Sequence, residues 1–194
     1  MVKQMRVSWR TLLFFVLVWF IAYSFLSGFW PVVRSDGEWK TITNLQYGFS
    51  VDYPTKWNAQ IYDESGFKGE DDVKLRIYRS FRDIFEISVE HKLASEPTLE
   101  EVIEWGNLQI DVSAANLARR GIEPNYELVN SEEMVIRGKT VFRERYSLGE
   151  AMYENIYLAR ENDMIIITLQ AKETEFDNYL EDFNAIAASF RPLD

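Results

Sequence analysis

One uninterrupted apolar run constrains this chain more than any other feature. Residues 12–33, LLFFVLVWFIAYSFLSGFWPVV, contain no charged side chain. A bilayer core about 30 Å thick is crossed by about 20 apolar residues in a helix. Trp9 and Trp30 lie near the two ends of the run, and indole rings favour the membrane interfaces. The run therefore predicts a transmembrane helix over residues 12–33, with Trp9 and Trp30 as interfacial anchors.

The charges on either side of this run predict its orientation. Lys3, Arg6 and Arg10 give the first 33 residues a charge of +3. Because the net charge of the 194-residue chain is −10, the remaining residues carry −13. Basic residues beside a membrane helix stay on the cytoplasmic side. We therefore expect a single-pass protein of the inner membrane, with residues 1–11 as a cytoplasmic N-terminus and the acidic remainder outside.

Two other interpretations of the run compete with a retained anchor. Ala22 and Ser24 form a small-x-small pair that resembles a signal-peptide cleavage site. However, the run continues past that pair and exceeds the usual apolar length of a signal peptide, about 7–15 residues. A buried core helix is seldom hydrophobic on all sides for six turns. The retained anchor is the favoured interpretation.

Small residues in the run suggest that the helix has a packing face. Ser24, Ser27 and Gly28 share one side of a helix because they are three and four residues apart. Small side chains allow a neighbouring membrane helix to approach closely. We expect Ser27→Leu or Gly28→Leu to weaken association with a partner without preventing membrane insertion.

The composition excludes several classes of chemistry. The chain has no cysteine and one histidine, His91, which excludes disulfide frameworks, cysteine zinc sites and thiol nucleophiles. Its negative charge argues against nucleic acid as a partner, because nucleic-acid binding needs a basic surface. No acidic cluster has the spacing of a calcium-binding loop, and nucleotide-binding and hydrolase motifs are absent. The sequence therefore predicts no catalytic, cofactor-binding or metal-binding residue.

The remainder of the chain reads as a linker followed by one domain. Residues 34–46 have mixed polarity and predict a juxtamembrane linker, and residues 47–194 form the extracytoplasmic domain. Alternating apolar residues joined by short connections predict antiparallel strands. The predicted strands cover residues 73–77, 85–89, 129–135, 140–148, 152–158 and 165–169. Three consecutive isoleucines in the last of these predict a central strand.

Two amphipathic helices interrupt the strands. Thr98 and Glu101 have the spacing of a capping box, and Gly121 is a typical helix stop. A second helix begins near Thr174 and places aromatic and aliphatic residues at three- and four-residue steps. Each helix needs a sheet on which to bury its apolar side. The predicted fold class is α+β, an antiparallel sheet flanked by helices.

Two short motifs at the ends of the domain resemble the PsbP-like family, which is named for an extrinsic protein of the oxygen-evolving photosystem. The motifs consist of Phe49, Tyr53, Pro54 and Trp57 at the start and Ser189 with Phe190 at the end. A Tyr-Pro turn and an anchored Trp are structural features. The resemblance implies an α/β/α sandwich over residues 47–191, with no family active site to carry over.

These observations lead to one expected function and two alternatives. The expected protein is a non-catalytic, membrane-anchored accessory or assembly subunit. Its outer domain docks on a larger membrane complex, plausibly of photosynthetic or respiratory electron transfer. It contacts lipid through residues 12–33. The first alternative is an anchored envelope protein that binds a ligand or ion. The second is an unrecognised hydrolase, which requires ionisable groups that converge in a cleft.

Overall fold

The computed structural model describes residues 32–35, 38–62, 73–80, 82–91 and 96–193, with only the backbone described for residues 32–35 and His91. The strands are β1 (Val32–Ser35), β2 (Trp39–Asn44), β3 (Phe49–Pro54), β4 (Asn58–Ile61), β5 (Val73–Tyr78), β6 (Ile84–His91), β7 (Glu127–Ile136), β8 (Lys139–Leu148), β9 (Ala151–Arg160), β10 (Asp163–Lys172) and β11 (Arg191–Pro192). The helices are α1 (Leu99–Arg119) and α2 (Phe176–Ser189), and α2 follows a 3-10 turn, Glu173–Glu175.

Seven strands form a large antiparallel sheet in the order β4-β5-β6-β10-β9-β8-β7. The strand with three isoleucines, β10, is the middle one, as its apolar sequence predicts. Short turns join β7 to β8, β8 to β9 and β9 to β10. These hairpins confirm the strands that periodicity predicted, because period-two patterning and turn residues are both local signals.

The two helices cover opposite faces of the large sheet. Val102 and Trp105 of α1 pack with Ile166 of β10. Phe183 of α2 belongs to the cluster that contains Ile167 of the same strand. Neighbouring residues of a strand point to opposite faces. The α+β prediction, with helices flanking an antiparallel sheet, is therefore confirmed.

A second, four-stranded sheet corrects the predicted linker. Its order is β1-β2-β3-β11, so most of residues 34–46 form strands rather than a connection. Ile42, in β2, is 2 % exposed and joins the core on the α2 side. β2 buries few of its side chains, so its sequence is largely polar. The alternation of apolar and polar residues in it was therefore too weak to predict a strand. Val32 and Val33 belong to β1 and not to the predicted membrane helix.

The rest of that predicted helix, residues 12–31, lies outside the described residues, as do residues 1–11. Within the described part of the chain, no helix is long and apolar enough to cross a membrane. The twenty residues 12–31, which precede β1, carry no charge, so the length argument for a membrane span still holds as a prediction.

Candidate functional site

The residues of the two family-like motifs meet in the core between α2 and the small sheet. The Ser189 hydroxyl accepts a hydrogen bond from the Asp52 N–H at 2.8 Å, and its oxygen lies 3.1 Å from the Asp52 carbonyl. Phe190 packs on Phe49 with ring centroids 5.7 Å apart. These contacts join the end of α2 to β3, so both motifs position the same helix.

The remaining motif residues secure the other end of this interface. Trp57 is 1 % exposed, and its ring packs edge-on against Phe183 at 5.8 Å. The Trp57 indole N–H donates to Asp182 at 3.3 Å. Tyr53 and Pro54, at the end of β3, are buried directly before the turn that leads to Trp57. In the described residues, these contacts are packing contacts of the hydrophobic core.

A buried carboxylate between two arginines lies on the α2 side of the large sheet. Glu154 is fully buried, and its two oxygens accept hydrogen bonds from Arg143 at 2.5 Å and from Arg145 at 2.6 and 2.9 Å. Arg143 also reaches Asn184 of α2, and Arg145 lies over the Phe176 ring. Because both oxygens are engaged, this cluster is a structural ion pair.

A network of tyrosines and one carboxylate occupies the opposite face, beneath α1. Glu144 accepts hydrogen bonds from the hydroxyls of Tyr126 and Tyr157, each at 2.9 Å. The Asn155 amide donates to Tyr157 at 3.0 Å and to Tyr146 at 3.3 Å. Burial, reinforced by Glu144, raises the pKa of Tyr126 to about 12. Burial likewise raises the pKa of Tyr146 and of Tyr157, so all three hydroxyls are neutral at physiological pH.

A polar cavity of about 540 Å³ adjoins this network, between α1 and the large sheet. Its polar lining includes Arg76 and Glu86, which form an ion pair. Asn155 also lines it, and the Asn155 Oδ1 atom is buried without a hydrogen-bond partner among the described residues. A buried carbonyl oxygen left unsatisfied costs about 1–3 kcal/mol. An acceptor without a partner therefore belongs to a residue that lines this cavity.

A second cavity, of about 240 Å³, lies on the other face of the sheet beside the end of α2. Its lining is mainly aliphatic, and it includes four cationic residues and no Asp or Glu among the described residues. The cations are Arg137, Lys139, Arg160 and Arg191. We call this cavity the basic-rimmed pocket.

The described residues hold no cluster of potential metal ligands. No three Asp, Glu or His side chains of that part of the chain lie together as metal ligands. Glu86 pairs with Arg76 on the sheet surface under α1, and the side chain of His91 lies outside the described residues. The expectations of no catalytic, cofactor-binding or metal-binding residue stay predictions.

The predicted membrane residues receive no structural placement. Ser24, Ser27 and Gly28, with the interfacial Trp9 and Trp30, all lie outside the described residues. Their helix-packing and interfacial roles stay predictions.

The sequence analysis missed the buried polar groups and both cavities. One available signal was the position of Glu144 between Phe142 and Tyr146, in a strand register that faces a helix. A carboxylate at an apolar register position indicates a buried partner. The basic-rimmed pocket had no local signal, because its lining comes from strands β7 to β10 and from the end of α2.

Most of the large hydrophobic side chains that are exposed in the described residues lie in one stretch of the chain. Of the nine large hydrophobic residues that are exposed in the described part of the chain, six lie between residues 108 and 129. They are Leu108, Val112, Ile122, Tyr126, Leu128 and Val129. We call these six residues the apolar strip; it includes part of α1, the connection after it and the start of β7. Concentrations of exposed apolar residues mark sites of protein interaction.

Comparison with solved structures defines the fold class. The chain is similar to the solution structure of cyanobacterial PsbP (CyanoP) from Synechocystis sp. PCC 6803, with a TM-score of 0.58 and 16 % sequence identity. The match covers 82 % of this chain and 98 % of that one. The architecture is therefore PsbP-like, as the two terminal motifs predicted. At this identity the similarity shows the fold alone.

Other similarities are weaker. A Pseudomonas aeruginosa protein of unknown function gives a TM-score of 0.43 at 13 % identity, over 84 % of this chain and 98 % of that one. A Bacteroides thetaiotaomicron structure gives 0.39 at 12 % identity, over 76 % and 46 %. No protein-family model and no curated protein sequence matches this chain.

Proposed function

We propose that this protein is a non-catalytic accessory or assembly subunit whose PsbP-like domain docks on a larger membrane protein complex. The PsbP-like fold supports this role, because the family is named for an extrinsic photosystem protein. The observation that carries the proposal is the apolar strip, since six large hydrophobic residues are exposed there on an otherwise acidic chain. The complex is one of photosynthetic or respiratory electron transfer.

The apolar strip has the composition of a docking surface. Leu108 and Val112 are one helical turn apart on α1, so they are neighbours, and each is about half exposed. Tyr126, directly before β7, and Leu128, near the start of β7, are exposed to a similar extent. Interface centres are rich in aromatic and aliphatic side chains, whereas charged residues are excluded to the rim.

The anchor proposal follows from the chain before β1. Residues 12–31 span the inner membrane with the N-terminus inside, and the domain lies outside. Because β1 begins at Val32 and pairs with β2, no long flexible segment separates the membrane from the sheet. A short tether raises the effective concentration of the domain near a partner in the same membrane to the order of millimolar. A modest docking surface is then sufficient.

Native electrophoresis tests this proposal. Membranes are extracted with a mild detergent, and the band that holds the chain is analysed by mass spectrometry. We expect the chain at fixed stoichiometry in a band far larger than its own 22.8 kDa. Migration as a free monomer at every detergent concentration would refute docking. Alkaline carbonate extraction of the same membranes tests the anchor separately, since an anchored chain stays in the pellet.

A ligand-binding envelope protein is the second candidate. It is supported by the two cavities, and by the buried Asn155 oxygen that has no donor among the described residues. Titration calorimetry of the full chain with lipids and with divalent cations tests it. Heat of binding with either supports a ligand-binding role, and no heat with both removes it.

A further inference from the structure

The basic-rimmed pocket combines an apolar interior with a cationic entrance. Its interior consists of Val141, Ile156, Leu158, Ile167 and Phe190, each less than 9 % exposed. Ile136, which is half-buried, lies at the pocket margin on β7. Apolar walls of this kind bind hydrocarbon by removing it from water, at about 0.8 kcal/mol per buried CH₂ group.

The four cations at the rim differ in how they are paired. Arg160 donates to the carbonyls of Gly48 and Tyr47 at 2.6 and 2.8 Å and pairs with Asp163. Arg191 pairs with Asp52. By contrast, the side chains of the other two, Arg137 and Lys139, make no hydrogen bond or ion pair within the described part of the chain.

The two unpaired cations belong to one tight hairpin turn. Arg137 and Gly138 form the two-residue turn between β7 and β8, both have positive φ, 50° and 81°, and Lys139 is the first residue of β8. Asn or Asp followed by Gly is the usual choice in such a turn. A left-handed conformation costs an Arg residue about 1–2 kcal/mol, so this turn carries a cation where Asn, Asp or Gly would be less strained.

Charge and size define the ligand. The chain has 31 acidic and 21 basic residues, yet this lining is basic and contains no acid among the described residues. The volume, about 240 Å³, is below the range of about 300–1,000 Å³ that accommodates drug-sized molecules. One hydrocarbon chain suits this space, and two do not.

We propose that the basic-rimmed pocket binds a single acyl chain with an anionic head group. The chain lies against Ile156 and Ile167, and the head group contacts Arg137 and Lys139. Two sources share this chemistry, a free fatty-acid carboxylate and one chain of an anionic membrane lipid. The inference deepens the second candidate function and does not depend on docking to a complex.

Isoleucine-methyl NMR reports directly on the pocket. The full chain is placed in phosphatidylcholine nanodiscs and titrated with laurate, with empty nanodiscs correcting for laurate in the lipid. We expect saturable shifts at Ile136, Ile156 and Ile167. Ile110 and Ile166, which line the polar cavity instead, should not shift. Replacing phosphatidylcholine with phosphatidylglycerol, without laurate, tests the membrane-lipid source; shifts at the pocket methyls in either arm support the proposal.

Two matched ligands separate the head group from the chain. Dodecyltrimethylammonium has a similar chain with a cationic head, and butyrate has the carboxylate with a short chain. We expect neither to shift the pocket methyls at concentrations where laurate saturates. Equal shifts from the cationic amphiphile would overturn the proposal, because they would indicate unselective partition into an apolar gap.

A matched pair of variants tests the cationic rim. Arg137→Ser with Lys139→Ser removes the two unpaired cations, and we expect about tenfold weaker laurate binding because charge-assisted contacts to the head group are lost. Arg119→Ser with Arg120→Ser removes two cations at the end of α1 and should leave binding unchanged. Unchanged spectra without ligand establish that each variant folds. Equal laurate affinity in the two double variants would refute the proposal, and so would the absence of pocket shifts with both laurate and phosphatidylglycerol. Neither outcome bears on docking, which native electrophoresis tests separately.

Discussion

Gly106 shows how one residue sets the distance between a helix and a sheet. It lies in the middle of α1, where glycine is about 1 kcal/mol less favourable than alanine. A Cβ atom on Gly106 would overlap Cε1 of the Tyr157 ring and lie 2.9 Å from its Cζ. Tyr157 is fully buried and bonded to Glu144, so it cannot move aside cheaply. Glycine is therefore present for close approach and not for flexibility.

Gly106→Ala should destabilise the domain although alanine is the better helix former. We expect the free energy of unfolding to fall by about 1–3 kcal/mol, the usual cost of an overpacked core. Chemical denaturation monitored by circular dichroism measures it. Asn107→Ala, at the exposed neighbouring position, is the control and should change stability by less than about 0.5 kcal/mol. A stabilised Gly106→Ala variant would contradict the close contact.

The buried tyrosines predict a loss of stability at alkaline pH. Burial raises the pKa of Tyr146 and of Tyr157 above the ordinary value of 10.0. Between pH 10 and the raised value, the unfolded chain has lost these protons and the folded chain has kept them. Stability is therefore intact below pH 10 and falls above it, by about 1.4 kcal/mol per pH unit for each such tyrosine.

Denaturation at pH 9, 10 and 11 measures this slope. Tyr157→Phe removes one of the two buried hydroxyls. The fall in the free energy of unfolding above pH 10 should therefore be about 1.4 kcal/mol per pH unit less steep. Its stability at pH 9 will also be lower, because Glu144 loses a donor. Identical slopes in both proteins would show that Tyr157 does not keep its proton in the folded state.

Among the elements, α1 is the one whose limits follow most directly from sequence. Thr98 accepts from the Glu101 N–H at 3.2 Å, and Glu101 accepts from the Thr98 N–H at 2.8 Å. This is the reciprocal capping box that the spacing predicts. Gly121, with φ of 75°, ends the helix as expected. Each signal acts within one helical turn, so no distant contact was needed to recognise it.

Thr98→Ala should lower stability by about 1 kcal/mol, since one N-terminal N–H of α1 loses its acceptor. Thermal unfolding of the two proteins measures the difference. Ser113→Ala, at an exposed position within α1, makes a similar hydroxyl-to-methyl change away from the cap and should leave the midpoint nearly unchanged. Equal shifts for both variants would mean that the cap contributes nothing.

At the scale of the whole molecule, substitutions of two equally exposed leucines test whether the apolar strip is a docking surface. Leu128, in the apolar strip, is 49 % exposed, and Leu45, in the turn after β2, is 51 % exposed. Leu128→Glu should weaken complex formation at least tenfold, because a charge at an interface centre must be desolvated. Leu45→Glu should have no effect. Quantified co-migration in native gels compares them, and equal behaviour would exclude the apolar strip as the docking site.

The sequence by itself determined the elements whose signals are local. The hairpins of β7 to β10 follow from period-two patterning and turn residues, and the caps of α1 follow from a capping pair and a glycine. The central position of β10 follows from its continuous apolar run. The two terminal motifs indicated the PsbP-like fold by their resemblance to that family. In the structure, they hold α2 against β3 through Ser189 and Phe190. The strands, turns and caps were predictable because the residues that specify each of them are few and close together in the sequence. The fold was predictable because the two motifs match a known pattern.

Only the tertiary structure decided where β2 and the cavities lie. β2 became a strand through its pairing with β1 and β3, although its own sequence is too polar to indicate burial. Glu144 and Glu154 are buried because partners on other strands satisfy them. The basic-rimmed pocket exists only where the β7–β8 hairpin meets the end of α2. Contacts between distant segments set all of these features, and no short window of sequence contains both sides of such a contact.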